Sequence, residues 1–239
     1  MKVETIKCLT DNFSYLVIDE FTNETFVIDP SEYEPIKKFV ISRNLNLKFI
    51  LNTHHHYDHI GGNEKLKQKF NCKIIGFEKD KKRIPGIDIK LMDREIWRYK
   101  KFEFKIYHVP GHTTNHIIYH FFNEKFLFSG DTLFSLGCGR VFEGTNEQMF
   151  ESLNLIKKFP KETKVYFGHE YTQQNSNFCI INDPNNLNLK KKVEQINKRL
   201  NNKLSTTPTT IKDEIDCNIF LRSEDLKSFS KIRELKDNF

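Results

Sequence analysis

The sequence is most restrictive in what it lacks. Its five cysteines, Cys8, Cys72, Cys138, Cys179 and Cys217, are odd in number and far apart, with no C-x-x-C pair. That excludes a disulfide framework and a zinc-thiolate site. No apolar run approaches the ~18 residues of a membrane-spanning helix. The first twenty residues carry Glu4 and Asp11 and have no continuous apolar stretch, so they do not read as a secretory signal. No G-x-S-x-G occurs, which removes the serine-hydrolase elbow. A concentrated basic patch is missing too. The net charge of +6 divides into 12 Lys/Arg against 9 Asp/Glu from Tyr171 onward and 26 against 23 before it. Spread so evenly, it argues against a nucleic-acid exosite and suits a small anionic substrate. A cytoplasmic protein with no membrane or nucleic-acid partner is the expectation.

What is present is a mixed α/β chain. Its 239 residues, 38% of them apolar, suffice for one large domain or two unequal ones. Strand patterns fit Lys2–Cys8, Tyr15–Asp19, Thr25–Asp29, Lys48–Leu51, Lys73–Ile75, Phe102–His108, His116–Phe122, Lys125–Phe128 and Lys164–Phe167. Helical patterns fit Tyr33–Arg43, Glu64–Phe70 and Asn146–Lys158. After Tyr171 strand-like runs disappear, and Leu187–Leu200 and Glu224–Leu235 read as amphipathic helices joined by a polar segment. All nine histidines fall between positions 54 and 169. The chemistry therefore belongs to the α/β part.

The segment Thr53-His54-His55-His56-Tyr57-Asp58-His59 follows a buried-looking strand and precedes Gly61-Gly62. Alternation sends His54 and His56 to one side and His55 to the other. After the turn at Tyr57, Asp58 and His59 offer a second carboxylate–imidazole pair. A lone H-x-H is more often a solvated turn, but two clustered pairs of N/O donors suit two neighbouring Zn²⁺, Fe or Mn ions. Three later segments repeat one layout of strand, glycine and ligand type: Gly111-His112, Gly130-Asp131 and Gly168-His169. His108, His116 and His120 lie in or beside strands and read as packing or supporting residues. Asp29, at a strand end, is a candidate to orient a ligand. Two cations sharing a water would lower its pKa from ~15.7 towards roughly 7.

This ordered set, over roughly residues 1–170, resembles the metallo-β-lactamase superfamily. The resemblance implies an αββα sandwich. It places His54, His56 and His112 on one metal, Asp58, His59 and His169 on the other, and Asp131 between both. Asp58 and Asp131 would be the carboxylates of a catalytic centre whose nucleophile is a metal-bridged hydroxide, with two divalent ions per chain.

The fold hosts many activities. Four further segments narrow them: Ser129–Phe134 running on to Gly137–Gly144, Gly168–Thr172, Cys217–Arg222, and Arg233–Phe239. With T-H-H-H-x-D-H-x-G-G-N they resemble glyoxalase II, the hydroxyacylglutathione hydrolases, of bacterial type and over essentially the whole chain. The resemblance implies hydrolysis of S-D-lactoylglutathione to D-lactate and glutathione, the second step of methylglyoxal detoxification. It also implies a catalytic domain at 1–170 and a helical glutathione-binding domain at 171–239, in a monomer. Arg140, Tyr171, Arg233 and Lys236 stand at the positions that match the family's substrate-binding residues. Phe142 departs from it, standing where some relatives carry a tyrosine, and Arg140 replaces a lysine. Cys138 reads as a small turn residue rather than a nucleophile. Another enzyme of the same fold, such as a mono-iron persulfide dioxygenase, or a nucleic-acid-processing hydrolase remains the alternative. A metal-binding protein without activity is a third reading, which a metal-dependent hydrolysis assay separates from the others.

Overall fold

The computed structural model describes all 239 residues, which divide into two compact units: Met1–His108 with Ile117–Glu124, and Val109–His116 with Lys125–Phe239. In the first unit, β1 (Lys2–Cys8), β2 (Asn12–Ile18), β3 (Glu24–Ile28), β4 (Asn46–Leu51), β5 (Lys73–Phe77) and β6 (Ile89–Leu91) form one sheet in that order. β1, β2 and β3 pair antiparallel, whereas β3 to β6 run parallel. The parallel joins need crossovers: α1 (Tyr33–Ser42) supplies the first and α3 (Asn63–Phe70) the second, and the segment 78–88, with a 3-10 turn at Glu78–Asp80, supplies the third. Between β4 and α3 the chain makes a single helical turn, α2 (Tyr57–Ile60).

Alternation divides the side chains of this sheet between two layers. Leu16, Ile18, Val27, Leu47, Ile50 and Ile74 join Ile36, Val40 and Leu66 of the helices in one buried cluster. On the other face Phe26 stacks on Phe102 with ring centroids 3.9 Å apart, and Phe49 meets Trp97 at 4.9 Å. Those partners belong to β7 (Ile96–Tyr99) and β8 (Phe102–His108), which pair antiparallel, as does β8 with β9 (Ile117–Phe121). The single tryptophan thus serves packing between sheets.

The second unit has β10 (Phe126–Gly130) parallel to β13 (Lys164–Phe167), with a register shift between Phe128 and Gly130. A short ribbon, β11 (Leu133–Phe134) and β12 (Gly137–Cys138), and α4 (Asn146–Ile156) lie between them in sequence. α4 opens on a capping box formed by Thr145 and Gln148. α5 (Thr172–Asn182), α6 (Leu187–Asn201), α7 (Ile211–Cys217) and α8 (Leu226–Asp237) complete the helical part. Phe178, Phe220 and Phe229 form its buried aromatic core.

Two expectations for this region need correction. Strand does not vanish after Tyr171, because β14 (Thr209–Thr210) pairs antiparallel with β13. Two residues are too few for a visible alternation. The sequence patterns do not include α5 and α7: α5 buries Thr172, Asn175 and Ser176 beside Phe178 and Cys179, so its inward face carries no continuous apolar stripe for periodicity to reveal. No helix is long and apolar enough to cross a membrane.

Candidate metal centre

In the first unit the ligand types gather where β3 and β4 end. Asp29 takes a left-handed φ of 45°, uncommon for a non-glycine residue, and its carboxylate is buried. Oδ1 accepts the Thr53 amide at 2.7 Å, and Oδ2 accepts the Thr53 hydroxyl at 2.6 Å. The same Oδ2 lies 3.1 Å from His59 Nδ1. With its proton committed to Asp29, the Thr53 hydroxyl can only accept from His54 Nδ1, 3.0 Å away. One carboxylate therefore fixes the tautomer of two imidazoles and turns both Nε2 lone pairs outward, as metal-binding histidines require. His56 offers a nitrogen within 4.8 Å of that of His54. Asp58 Oδ2 stands 3.5 Å from His59 Nε2 and accepts from Asn12 Nδ2 at 2.9 Å. His55 faces away, as alternation predicts, with Nδ1 3.6 Å from Asp80. The glycine pair is required sterically. A Cβ on Gly61 would stand 2.6 Å from the Ser31 carbonyl oxygen, and one on Gly62 would stand 2.8 Å from that of Pro30.

The second unit holds the remaining three. Asp131 Oδ2 lies 3.4 Å from His112 Nε2 and 3.2 Å from His169 Nε2, so one carboxylate oxygen faces two imidazoles. His112 Nδ1 donates to the Arg140 carbonyl at 2.8 Å, which makes Nε2 the nitrogen that could ligate. His116 is buried beneath: its Nε2 accepts the Asp131 amide at 3.1 Å, and its Nδ1 reaches the Thr132 hydroxyl at 3.1 Å. It is a neutral support of the Asp131 turn, which agrees with the supporting role expected. His120 is also a packing residue, and burial lowers its pKa to about 4. The donor set is imidazole nitrogen and carboxylate oxygen, with Nδ1 of His54, His59 and His112 engaged so that Nε2 could ligate, and it fits divalent cations.

The expected substrate residues lie in the second unit. Tyr171 stacks on His169, rings 4.8 Å apart and 8° from parallel. Arg140 is half-exposed, and Phe142 is 61% exposed with its ring 5.3 Å from His112. Arg233 is only 5% exposed. Its Nη1 donates to the Cys138 carbonyl at 3.0 Å, Nη2 lies 2.9 Å from Asp237 Oδ1, and its guanidinium lies 5.0 Å from the Phe220 ring. Lys236 Nζ is buried between the rings of Phe178 and Phe239, 5.3 and 5.0 Å from their centroids, with no hydrogen-bond acceptor. Burial, and secondarily Arg233, lowers its pKa. Cys138 lies in β12 rather than in the turn that the sequence suggests, and burial pushes its thiol up against the pull of Arg233, which disfavours a nucleophilic thiolate. Sequence reading missed Asn12, Thr53 and Asp237, since each acts on a partner distant in the chain or through a backbone carbonyl.

Comparison with known proteins agrees with this geometry. The model of the metallo-beta-lactamase superfamily matches residues 10–91 and 100–169. That of the hydroxyacylglutathione hydrolase C-terminus matches residues 170–239. Solved structures of similar fold include ETHE1 from Myxococcus xanthus and the BLEG-1 B3 metallo-beta-lactamase. The first has a TM-score of 0.76 and 24% identity over 98% of this chain and 90% of that one. The second has a TM-score of 0.72 and 23% identity over 93% and 100%. These define the class: a metallo-β-lactamase fold with His/Asp clusters for divalent metal ions and a C-terminal helical region. Among curated relatives, a hydroxyacylglutathione hydrolase of Pelagibacter ubique is 55% identical over the full length of both chains. One of Methylococcus capsulatus is 38% identical over 100% of this chain and 99% of its own. The chain belongs to the hydroxyacylglutathione hydrolase family, the glyoxalase II enzymes.

Proposed function

We propose that this protein hydrolyses S-D-lactoylglutathione and related 2-hydroxyacyl-glutathione thioesters. The thioester C–S bond is exchanged for a C–O bond to give the 2-hydroxy acid and glutathione. The observation that carries the reaction type is Asp131, one carboxylate oxygen facing two imidazole Nε2 atoms within 3.4 Å. We assign His54, His56, Asp58, His59, His112, Asp131 and His169 to two divalent metal ions, with Zn²⁺, Fe or Mn all suited to the donors. When bound, such ions lower the pKa of water and polarise a carbonyl oxygen.

The chain's own residues set the rest. Asp29, Thr53, Asn12 and the Arg140 carbonyl hold ligand side chains in place before any ion arrives. A thiolate leaves readily, so no strong general acid is required. Residues 1–170 form the catalytic domain in this reading, and 171–239 form the domain that holds glutathione. Arg140, Tyr171, Arg233 and Lys236 are the substrate-binding group. Arg140 and Tyr171 offer exposed polar atoms, while Arg233 and Lys236 add positive charge from below. A buried ammonium without an acceptor is costly, and a glutathione carboxylate supplies the missing anion. Phe142 offers no hydroxyl, so its contribution to tripeptide binding is apolar. We take the enzyme to act as a cytoplasmic monomer, in keeping with five buried free cysteines. The test is a substrate panel on metal-loaded protein: lactoylglutathione against coenzyme A thioesters, lactams and RNA. Preference for any of the last three would overturn the assignment.

A further inference from the structure

The C-terminal helix bears on a metal ligand as well as on the substrate. Residues 138–140 are gripped from α8 at two points. Arg233 Nη1 donates to the Cys138 carbonyl at 3.0 Å, and Arg140 donates through Nε to Asp237 Oδ1 at 3.1 Å and through Nη2 to the Asp237 carbonyl at 2.8 Å. Asp237 Oδ1 also accepts from Arg233 Nε at 3.1 Å, so two guanidinium groups share one carboxylate oxygen. The gripped segment lies directly against the ligands. A Cβ on Gly139 would fall 1.9 Å from the Asp131 carbonyl oxygen and 3.1 Å from His112 Nδ1. The Arg140 carbonyl is what receives the His112 Nδ1 proton at 2.8 Å. Gly139 has no side chain to anchor itself, and Cys138 and Arg140 on either side of it are fastened to α8 instead.

We propose that Arg233 and Asp237 are positioning residues for the metal ligand His112, acting through the Gly139–Arg140 backbone. The chain of contacts runs from the Arg233–Asp237 pair to the Cys138 carbonyl and Arg140 side chain, then to the Arg140 carbonyl and His112 Nδ1. A carbonyl held at 2.8 Å fixes the ring plane and keeps the proton off Nε2. When the segment is released, His112 regains rotational freedom and ligates less tightly. The consequence is coupling: an anion that takes the Arg140 guanidinium from Asp237 changes the hold on His112, so substrate-tail binding and metal retention are linked. This rests on His112 being a metal ligand, as assigned above.

The test is the rate at which a chelator strips metal from the loaded protein, read by a chromophoric indicator, together with the visible spectrum of the Co²⁺-substituted form. Removal of hydrogen-bond partners behind a ligand typically costs about 10-fold or more in metal affinity. Asp237→Ala and Arg140→Met should each speed loss of one of the two metals by about 10-fold and shift the Co²⁺ bands. Arg140→Met should have the larger effect, because it also abandons the Asp237 carbonyl. Asp237→Asn, which keeps the shared acceptor oxygen but loses its charge, should fall between wild type and Asp237→Ala. Arg233 is buried and its replacement could cost folding, so Arg233→Lys, which retains one donor and the charge, stands in for its removal. A general loss of stability would speed loss of both metals together and leave the Co²⁺ bands unmoved. His112→Ala separates the two ideas. If it loses metal rapidly while Asp237→Ala and Arg140→Met lose it at the wild-type rate, the brace is refuted and the site assignment stands. If His112→Ala retains both metals, the assignment itself has failed.

Discussion

Asp29 Oδ2 receives the Nδ1 proton of His59 at 3.1 Å, and the same oxygen accepts the Thr53 hydroxyl that in turn faces His54 Nδ1. One buried carboxylate thus aims two imidazoles, and its left-handed backbone, φ 45°, is part of how it reaches them. Asp29→Asn keeps the shape and a residue type that tolerates this φ. It nevertheless turns one acceptor oxygen into a donor among donors. We expect metal affinity to fall about 10- to 100-fold, measured by competition with a chromophoric chelator. Unchanged affinity would show that His54 and His59 do not depend on Asp29 for their tautomer.

The two carboxylate–imidazole contacts of Asp131 predict that Asp131→Ala abolishes hydrolysis and releases metal, beyond the ~10–100-fold typical of a supporting residue. His55 belongs to the same histidine run but turns to Asp80. His55→Ala should leave metal content and turnover close to wild type. Elemental analysis with a hydrolysis assay checks both. Equal damage from His55→Ala and His54→Ala would reverse the faces assigned to that segment.

The contrast between His54 and His55 also shows what a sequence can reveal. The candidate ligand positions are legible because His112, Asp131 and His169 each follow a strand and a glycine, and because the other four cluster in one short segment after β4. The groups that aim them are not. Thr53 is 24 residues from Asp29, Asn12 is 46 from Asp58, and the partner of His112 is a main-chain carbonyl with no sequence signature. The longer strands and helices of the first 170 residues read correctly, whereas β6, β7, β11 and β12, each of four residues or fewer, are too short for a visible pattern. α5 is not legible either, since the face it buries carries Thr, Asn and Ser where an apolar stripe would mark a helix. Arg233 and Lys236 share a helix face by their spacing, but spacing cannot tell an exposed cation from one sealed against Phe220 or Phe178.

Glu214 supplies a prediction on pH. It is fully buried, and burial raises its pKa above the ordinary 4.5, although the Thr209 hydroxyl, Asn218 Nδ2 and the Leu136 amide hydrogen-bond to it and pull the other way. The folded state therefore keeps a proton that the unfolded chain releases. Stability then declines as pH rises from about 4.5 to the raised folded value, and is flat beyond it. Glu214→Gln has no such titration, and its amide can satisfy the same partners once the Thr209 hydroxyl rotates to accept. Its stability relative to wild type should be greater at pH 8 than at pH 5, by urea unfolding in matched buffers. A difference independent of pH would mean that Glu214 keeps its charge in the fold.

Lys236 separates binding from stability most sharply. Its ammonium is buried between Phe178 and Phe239 without an acceptor, and burial with the neighbouring Arg233 lowers its pKa. In the free protein this is a cost, so Lys236→Met should unfold at a temperature no lower than wild type. In the proposed complex the ammonium would meet a glutathione carboxylate, and a charge-assisted contact of that kind is worth about 1.5–3 kcal/mol. The same substitution should raise KM for lactoylglutathione roughly 10- to 100-fold, with a smaller effect on kcat and no change in metal content. A small thioester that lacks the tripeptide should be turned over as by wild type. The titration has a definite sign. A lowered pKa means that raising pH discharges Lys236 earlier than an ordinary lysine, so wild-type KM should climb in the alkaline range while that of the Met variant stays level. Added salt should raise wild-type KM more than that of the variant, since it screens the pair that the variant has lost. Steady-state kinetics over pH and ionic strength, beside a thermal melt, measure all of these. A Lys236→Met enzyme with wild-type KM and a lowered melting temperature would make Lys236 a structural cation of the aromatic core and remove it from the substrate site.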